Sequence, residues 1–157
     1  MPDRDLVIAS LETPIGRMWL SGTHGGLRSI VRADEPEGVI GLADPDALSD
    51  ALLQLADYFS GRLRSFDLRL DMSGVASFHA AVYRAAMEIP WGETASYGEV
   101  AAMAGSPRAA RAAGRAMARC PLFPVVPCHR VIHADGSIGG WGPELWVKRW
   151  LLDHERG

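Results

Sequence analysis

The sequence predicts an α+β protein, in which a small N-terminal three-stranded sheet with one helix precedes a mostly helical part with a helix-turn-helix. Two observations predict this class. Strand patterns and a single helical pattern fill the chain up to residue 71, and apolar residues recur at intervals of three and four from Ser77 onwards. Met72-Ser73-Gly74 separates the two regions. We therefore expect two domains, at residues 1–74 and 75–157.

The N-terminal strands are runs of β-forming residues separated by turn residues, and we place them at 6–9, 17–21 and 27–31. Thr13-Pro14-Ile15-Gly16 joins the first two strands. Asp44-Pro45 has the residue types of a helix start, and Gly61 those of a helix end. Residues 66–70 alternate between apolar and charged types, which predicts one more, half-buried strand.

Composition narrows the class of protein. The chain has 157 residues, of which 48% are hydrophobic, enough for a real core. No run approaches the roughly 18 apolar residues of a membrane span, and the first residues do not resemble a signal peptide. The two cysteines provide neither a disulfide framework nor, with the histidines, the spacing of a zinc site. We expect a cytoplasmic protein without membrane contact, bound metal or cofactor.

Charge is unevenly distributed along the chain. Residues 1–75 contain 7 basic and 12 acidic residues, a net charge of −5, whereas residues 76–157 contain 9 and 7, a net charge of +2. Within residues 106–119 there are only basic charges, namely Arg108, Arg111, Arg115 and Arg119. The first region therefore resembles a solvated acidic lobe, and the basic patch is local.

This basic segment forms the second helix of the predicted helix-turn-helix. Ser96 and Glu99 have capping-box spacing, so the first helix should start at Tyr97 and end before Gly105. The second helix should start at Ser106-Pro107 and extend to about residue 118. Its arginines are three and four residues apart and share one face, which is either solvated or in contact with phosphates. Spacing alone leaves both interpretations open.

A candidate nucleophile lies in Pro127-Cys128-His129-Arg130-Val131, where a thiol directly precedes an imidazole and a guanidinium. Cysteine attacks as its thiolate, so His129 and Arg130 are expected to lower the pKa of Cys128. The alternative is a buried structural cysteine beside a capping histidine. Glu155, near the end of a predicted helix at about residues 144–155, is either a surface acid or a buried partner of a histidine.

Four blocks of the C-terminal half together resemble the O6-alkylguanine-DNA alkyltransferase family, the methylated-DNA–protein-cysteine methyltransferases. In chain order they are Ile89–Ala101, Ser106–Ala112, Pro127–Ile132 and Lys148–Glu155. The resemblance implies a ribonuclease H-like, structural N-terminal domain and a C-terminal domain that binds DNA and transfers alkyl groups. It also implies a single-turnover enzyme that moves the alkyl group of O6-alkylguanine in double-stranded DNA irreversibly to its own Cys128. O4-alkylthymine is a second candidate substrate, and a monomer without an obligate protein partner is expected.

The same resemblance implies catalytic roles for four residues. Cys128 would accept the alkyl group and keep it, and His129 would act as its base through a water molecule. Glu155 would orient the imidazole and balance its charge. Tyr97 would donate a proton toward N3 of the departing guanine.

Other implied residues contact DNA or the extruded base. The target base leaves the duplex, Arg111 fills the vacated stack, and the second helix of the helix-turn-helix lies in the minor groove. The implied DNA contacts are Ser96, Arg108, Ala110, Arg111 and Arg115. The implied substrate-pocket residues are Val131, Trp141, Gly142 and Met117.

This chain departs from the family pattern near the nucleophile. Cys120 stands where an asparagine is usual, eight residues before Cys128, and a thiol is a much weaker hydrogen-bonding group than an amide. Gly140-Trp141-Gly142-Pro143-Glu144 replaces a loop in which a tyrosine and then a Gly-Gly pair are usual. These differences are expected to alter the rate and the range of alkyl groups more than the type of reaction.

Two alternatives to the enzyme remain open. One is a sensor of alkylated bases of the alkyltransferase-like kind, which holds the extruded base without chemistry. Such relatives lack the nucleophile, so the presence of Cys128 favours the enzyme. The other is a redox sensor in which the thiols of Cys120 and Cys128 cooperate.

Overall fold

The chain forms two compact units, Met1–Gly74 and Val75–Gly157. The computed structural model describes residues 6–23, 25–35, 41–44 and 46–156. The first unit contains a sheet and one α-helix, and the second is mostly helical. The predicted α+β class is confirmed.

The sheet of the first unit has four strands in the order β3-β2-β1-β4. β1 (Val7–Thr13), β2 (Gly16–Thr23) and β3 (Gly26–Arg32) are the three predicted strands, and neighbouring strands pair antiparallel. β4 (Leu42–Ala43) pairs with β1 in parallel and was not predicted, so the expected count of three strands is wrong. A strand of two residues is too short to show any alternation in the sequence.

The helix of this unit is α1 (Ser49–Phe59), which packs against β1. A 3-10 turn, Asp46–Leu48, precedes it, and Oδ1 of Asp44 accepts a hydrogen bond of 3.3 Å from the backbone N–H of Ala47. Asp44 therefore satisfies a backbone N–H at the start of the helical segment, as its residue type predicts. Pro45, predicted as the first helical residue, lies outside the described residues.

The predicted strand at residues 66–70 is wrong. In the described part of the first unit, this segment contributes a single bridge, between Leu70 and Leu27. The backbone N–H of Leu27 donates to the carbonyl of Arg69, and that of Asp71 donates to the carbonyl of Leu27, both at 2.8 Å. The alternation thus marks an extended, half-buried segment that touches β3 at one residue.

In the second unit, three helices form the predicted helix-turn-helix and its support. α3 (Tyr97–Met103) packs against α4 (Ala110–Ala118), and both pack against α2 (Ser77–Ala86). Tyr83 of α2 is buried, and its hydroxyl donates a hydrogen bond of 2.7 Å to the carbonyl of Ala116 in α4. This bond ties the second helix of the motif to the core.

Local hydrogen bonds set both ends of α3. Oγ of Ser96 accepts from the backbone N–H of Glu99 at 3.0 Å, and Oε1 of Glu99 accepts from the backbone N–H of Ser96 at 3.2 Å. At the other end, Gly105 has a φ of +91°, and the N–H of Ser106 donates to the carbonyl of Ala101 at 2.9 Å. These are a capping box and a Schellman motif, so both predicted ends are confirmed.

The second helix starts three residues later than predicted. The N–H of Ala109 donates to the carbonyl of Ser106 at 2.9 Å and closes a separate turn. α4 therefore begins at Ala110, with Ser106-Pro107 outside it. Arg108 lies in the turn rather than on the helix, and only Arg111 and Arg115 of the four arginines belong to α4 itself.

A short parallel pairing brings the chemistry-bearing segments together. β5 (Ala95–Ser96) pairs with β6 (Val131–Ile132), which places the first residue of α3 near the segment that follows Cys128. The 3-10 turn Cys128–Arg130 packs against α5 (Leu145–Arg156). The candidate nucleophile thus lies between α5 and the start of the helix-turn-helix.

Candidate active site

Cys128 is the first residue of a buried 3-10 turn. Its backbone N–H donates to the carbonyl of Val126 at 2.8 Å, and that of Arg130 donates to the carbonyl of Pro127 at 2.9 Å. The prolines before the turn restrict the backbone dihedral φ of the segment that leads into it. Only 2% of the surface of Cys128 is exposed.

His129 and Glu155 form a buried pair. Nε2 of the imidazole lies 2.7 Å from Oε2 of the carboxylate. Because a carboxylate only accepts, the ring donates from Nε2, and Nδ1 then carries the lone pair. Within the described ranges no group pairs with Nδ1, although the atom is buried. Burial lowers the pKa of His129 despite the opposing effect of Glu155, so the ring is neutral at neutral pH.

Arg130 completes this cluster. Its Nε donates to Oε1 of Glu155 at 2.7 Å and its Nη2 donates to Oε2 at 2.9 Å, which is a two-point ion pair. Its Nη1 donates to the carbonyl of Ile89 at 2.7 Å. The sequence left Glu155 as either a surface acid or a buried partner of a histidine, and the structure shows that it is the buried partner. It binds both residues that follow Cys128.

Lys148 is a buried cation that sequence analysis did not single out. Its Nζ donates to the carbonyl of Val131 at 2.8 Å and to that of Gly139 at 3.2 Å. It also lies 3.5 Å from the hydroxyl of Tyr97. Burial lowers the pKa of Lys148 to about 8. The sequence did contain a sign that Lys148 is buried, because its helical spacing places it on the same face of α5 as Leu151, Leu152 and Glu155.

The electrostatics of Cys128 differ from the expectation. Burial raises the pKa of its thiol well above the ordinary range, and the hydrogen bond and charge of Cys120 raise it further. Lys148 is the side chain whose charge lowers it. The prediction that His129 and Arg130 lower this pKa is wrong, because the first is neutral and the second is paired with Glu155.

Tyr97 lies between the buried cluster and the surface. Its ring packs edge-on against His133, with 5.2 Å between centroids, and Nζ of Lys148 lies 5.7 Å from its ring centre. Burial raises the pKa of Tyr97, and Cys128 raises it further. The phenol is therefore protonated at neutral pH and available as a donor.

A groove of about 640 Å³ runs along the helix-turn-helix beside Tyr97. Residues of α3, α4 and the loop after β6 line it, including Ser96, Tyr97, Ala110, Arg111, Gly114, Arg115 and Gly140. The two arginines of the groove are exposed. Gly114 has no side chain to fill the space between α4 and the ring of Tyr97. Cys128 is not among the lining residues, so its sulfur is covered rather than open to the groove.

The remaining predicted residues are dispersed. Arg108 is exposed on the turn before α4, and Met117 is buried on the inner side of α4, so neither lines the groove. Val131 is buried, with its carbonyl bound to Lys148. Trp141 packs edge-on against Phe123 at 5.3 Å between centroids, and Gly142 begins a 3-10 turn.

The described part of the chain contains no group of three or more histidine, cysteine, aspartate or glutamate side chains that could hold a metal ion. None of its helices is long and apolar enough to cross a membrane.

One unit of the chain therefore contains a buried thiol, a neutral histidine held by glutamate, and a helix-turn-helix with an open groove. Residues 77–157 match the family described as 6-O-methylguanine DNA methyltransferase, DNA binding domain, and residues 6–72 match its ribonuclease-like domain. The chain belongs to the O6-methylguanine DNA methyltransferase family. The family resemblance of the four sequence blocks is thereby confirmed.

Relatives and solved structures extend over nearly the whole chain. The methylated-DNA–protein-cysteine methyltransferase of Mycobacterium bovis is 43% identical over 151 residues, which cover 94% of this chain and 90% of the relative. The crystal structure of Mycobacterium tuberculosis O6-methylguanine methyltransferase is 41% identical, with a TM-score of 0.86 over 96% of this chain and 93% of that chain. The structure of Mycobacterium tuberculosis OGT in complex with DNA is also 41% identical, with a TM-score of 0.86 over 96% and 92%.

Proposed function

We propose that this protein repairs alkylated DNA by transferring the alkyl group of O6-alkylguanine irreversibly to the sulfur of Cys128. The observation that carries the proposal is the position of Cys128, directly before the buried His129–Glu155 pair and near enough to Tyr97, which lines the groove, for its charge to act on the phenol. Family membership supports the same reaction, and DNA is the partner of a solved relative. O4-alkylthymine would be a second substrate of the same displacement.

His129 supplies the base in this proposal. Its Nδ1 has a free lone pair, while Nε2 is held by Glu155. Adjacent side chains do not face one another on a helical turn, so a water molecule would carry the proton from the Cys128 thiol to Nδ1. The carboxylate of Glu155 then balances the charge that develops on the ring.

Lys148 and Tyr97 act on the charges that appear during transfer. As the thiol ionises, the Lys148 ammonium stabilises the thiolate through space. As the S–C bond forms and the O6–C bond breaks, negative charge moves onto the guanine. The protonated phenol of Tyr97 donates toward N3 of the base and neutralises that charge.

The groove provides the DNA-binding surface. Extruding a base from the duplex costs a few kcal/mol, and insertion of the Arg111 side chain into the vacated stack offsets part of that cost. Arg115, with Arg108 on the preceding turn, contacts phosphates, while Ser96 and Ala110 allow close backbone approach. Entry of the extruded base also uncovers Cys128, which is buried in the free protein, and Val131, Trp141 and Gly142 would line the pocket that receives the base.

We also propose that the protein acts as a monomer in the cytoplasm. Support for the first statement is that the thiol, the His129–Glu155 pair and the groove all belong to one unit of one chain. Support for the second is that both cysteines are free thiols, as in reducing compartments.

Intact mass spectrometry tests the reaction. The protein is incubated with a duplex oligonucleotide that contains O6-methylguanine, and a stoichiometric gain of one methylene supports transfer. Tight binding without a mass gain would instead establish the non-catalytic sensor. Trypsin releases residues 120–130 as one peptide with both thiols, so fragmentation must locate the methyl group. We expect it on Cys128, and a methyl group mainly on Cys120 would overturn the assignment.

A further inference from the structure

We propose that His133 is a positioning residue of the transfer reaction, because its ring holds the phenol of Tyr97 at the wall of the groove. The proposal rests on the proposed function, in which Tyr97 donates a proton toward the extruded guanine. His133 lines the same groove and is exposed there. Its role is to fix the direction in which the Tyr97 hydroxyl points, while the hydroxyl itself supplies the proton.

The register of the short parallel pairing places His133 beside Tyr97. Ser96 of β5 lies opposite Ile132 of β6, and Tyr97 and His133 are the next residues of the two paired segments. Their rings meet edge-on, at an interplanar angle of 60° and with 5.2 Å between centroids. Aromatic rings in this arrangement attract each other beyond the effect of burial alone.

The imidazole of His133 is itself held in place. The backbone N–H of His133 donates to the carbonyl of Ser137, and its carbonyl accepts from the N–H of Gly136, both at 3.0 Å, which closes a tight turn. A Cβ at Gly139 would lie only 3.1 Å from Nε2 of His133. The ring therefore lies close to the backbone of Gly139 as well as to the ring of Tyr97, and a larger residue at position 139 would press on it.

Two glycines border Tyr97 without packing a side chain against it. A Cβ at Gly114 would lie 3.8 Å from Cδ1 of the ring, and a Cβ at Gly140 would lie 3.0 Å from the hydroxyl oxygen. Nζ of Lys148 lies 3.5 Å from the same hydroxyl and restricts that end of the phenol. The contact with His133 restricts the ring, so its removal should let the phenol turn within the groove.

Single-turnover transfer from a duplex O6-methylguanine oligonucleotide tests the role in the reaction. We expect His133→Ala to slow transfer by about threefold to tenfold, the rate equivalent of one lost aromatic contact. His133→Phe keeps an aromatic ring and should transfer at close to the wild-type rate. Affinity for the duplex should be the same in all three proteins, because the contact acts on the proton donor. Equal losses in the alanine and phenylalanine variants would instead identify a charged or hydrogen-bonding contact with DNA and overturn the proposal.

A double-mutant cycle shows whether His133 acts through Tyr97. In the background of Tyr97→Phe, which has no hydroxyl to direct, His133→Ala should cause no further loss of rate. A further loss as large as that in the wild-type background would contradict the proposal. His79→Ala is the matched control, because His79 makes the same kind of edge contact with Tyr83, at 6.2 Å between centroids, and neither residue lines the groove. This variant should transfer at the wild-type rate.

Fluorine NMR of the full chain labelled with fluorotyrosine tests the contact without the reaction. The chain has three tyrosines, and the spectrum of Tyr97→Phe identifies the resonance of Tyr97. We expect His133→Ala to shift that resonance, and His79→Ala to shift the resonance of Tyr83 instead. An unchanged Tyr97 resonance in His133→Ala would refute the contact. If the wild type gains no methyl group, the proposed function fails, and this spectrum still decides whether His133 holds Tyr97.

Discussion

Nε2 of His129 lies 2.7 Å from Oε2 of Glu155, and both side chains are almost completely buried. Arg130 binds both oxygens of the same carboxylate, so one residue of α5 fixes two consecutive residues of the 3-10 turn Cys128–Arg130. A buried carboxylate with two such partners determines the tautomer of the ring as well as its orientation. The geometry of the candidate base therefore depends on α5.

Glu155→Gln is expected to lower the free energy of unfolding by about 3–5 kcal/mol and to slow methyl transfer. The amide keeps the size of the side chain but leaves the Arg130 guanidinium buried without its counter-charge. Urea unfolding and single-turnover assays measure the two effects. Asp153→Asn makes the same change on the exposed side of α5, in an ion pair of 3.5 Å with Arg156, and should cost under about 1 kcal/mol. Equal losses in both variants would contradict the buried-pair assignment.

In the wild type, the free energy of unfolding is expected to rise between pH 8 and pH 10.5, and Lys148→Met should remove the part of this rise that is due to Lys148. Burial lowers the pKa of Lys148 from 10.5 to about 8. Between pH 8 and pH 10.5, Lys148 is therefore more often protonated in the unfolded chain than in the folded protein. The wild-type free energy of unfolding should therefore increase across this window by up to about 3 kcal/mol relative to Lys148→Met.

Urea unfolding at several pH values between 8 and 10.5 measures this difference. Arg149→Met, at an exposed position of the same helix, is the control and should follow the wild-type curve. Parallel curves for wild type and Lys148→Met would show that Lys148 does not titrate in this range.

Arg111→Ala is expected to slow repair of O6-methylguanine in duplex DNA by about tenfold or more, with little change for a single-stranded oligonucleotide. The reason is that only the duplex leaves a vacated stack for the side chain to fill. Single-turnover rates on the two substrates give the ratio. Arg62→Ala removes an exposed arginine from the other unit and is the charge-matched control. A duplex rate equal to that of wild type would remove the role of Arg111 in base extrusion.

Two glycines of the helix-turn-helix should respond in opposite directions to alanine. Gly105 has a φ of +91°, so Gly105→Ala should cost about 1–2 kcal/mol even though there is open space around it. Gly114 lies within α4, where a Cβ would meet Cδ1 of Tyr97 at an ordinary 3.8 Å. Gly114→Ala should therefore stabilise the protein by about 0.5–1 kcal/mol. Thermal unfolding measures both, and a stabilised Gly105→Ala would refute the Schellman assignment.

The elements predicted best are those whose ends depend on local hydrogen bonds. Ser96, Glu99 and Gly105 lie within one helix and its caps, so their residue types suffice to place α3. The errors concern pairing with distant residues. β4 forms by pairing with β1, and the segment at residues 66–70 is not a strand because its pairing with β3 is limited to the single bridge between Leu70 and Leu27. Neither partner can be inferred from the alternation of a short segment.

The candidate site divides in the same way. Cys128, His129 and Arg130 are adjacent in the chain, whereas only the packing of α5 against their turn decides that Glu155 is a buried partner. Lys148 carried a signal in its helical spacing, but a charged residue on an apolar stripe does not reveal which carbonyls it will meet. The direction of the Cys128 pKa was predicted wrongly because it depends on burial.

By itself the sequence determined the fold class, the caps of α3 and the nucleophile motif, since these depend on residues close together in the chain. Tertiary structure alone decided that Glu155 holds His129 and Arg130, that the charge of Lys148 lowers the pKa of Cys128, and that the sulfur is covered. The physical reason is that desolvation and Coulomb interactions depend on distance and burial in space, and separation along the chain specifies neither.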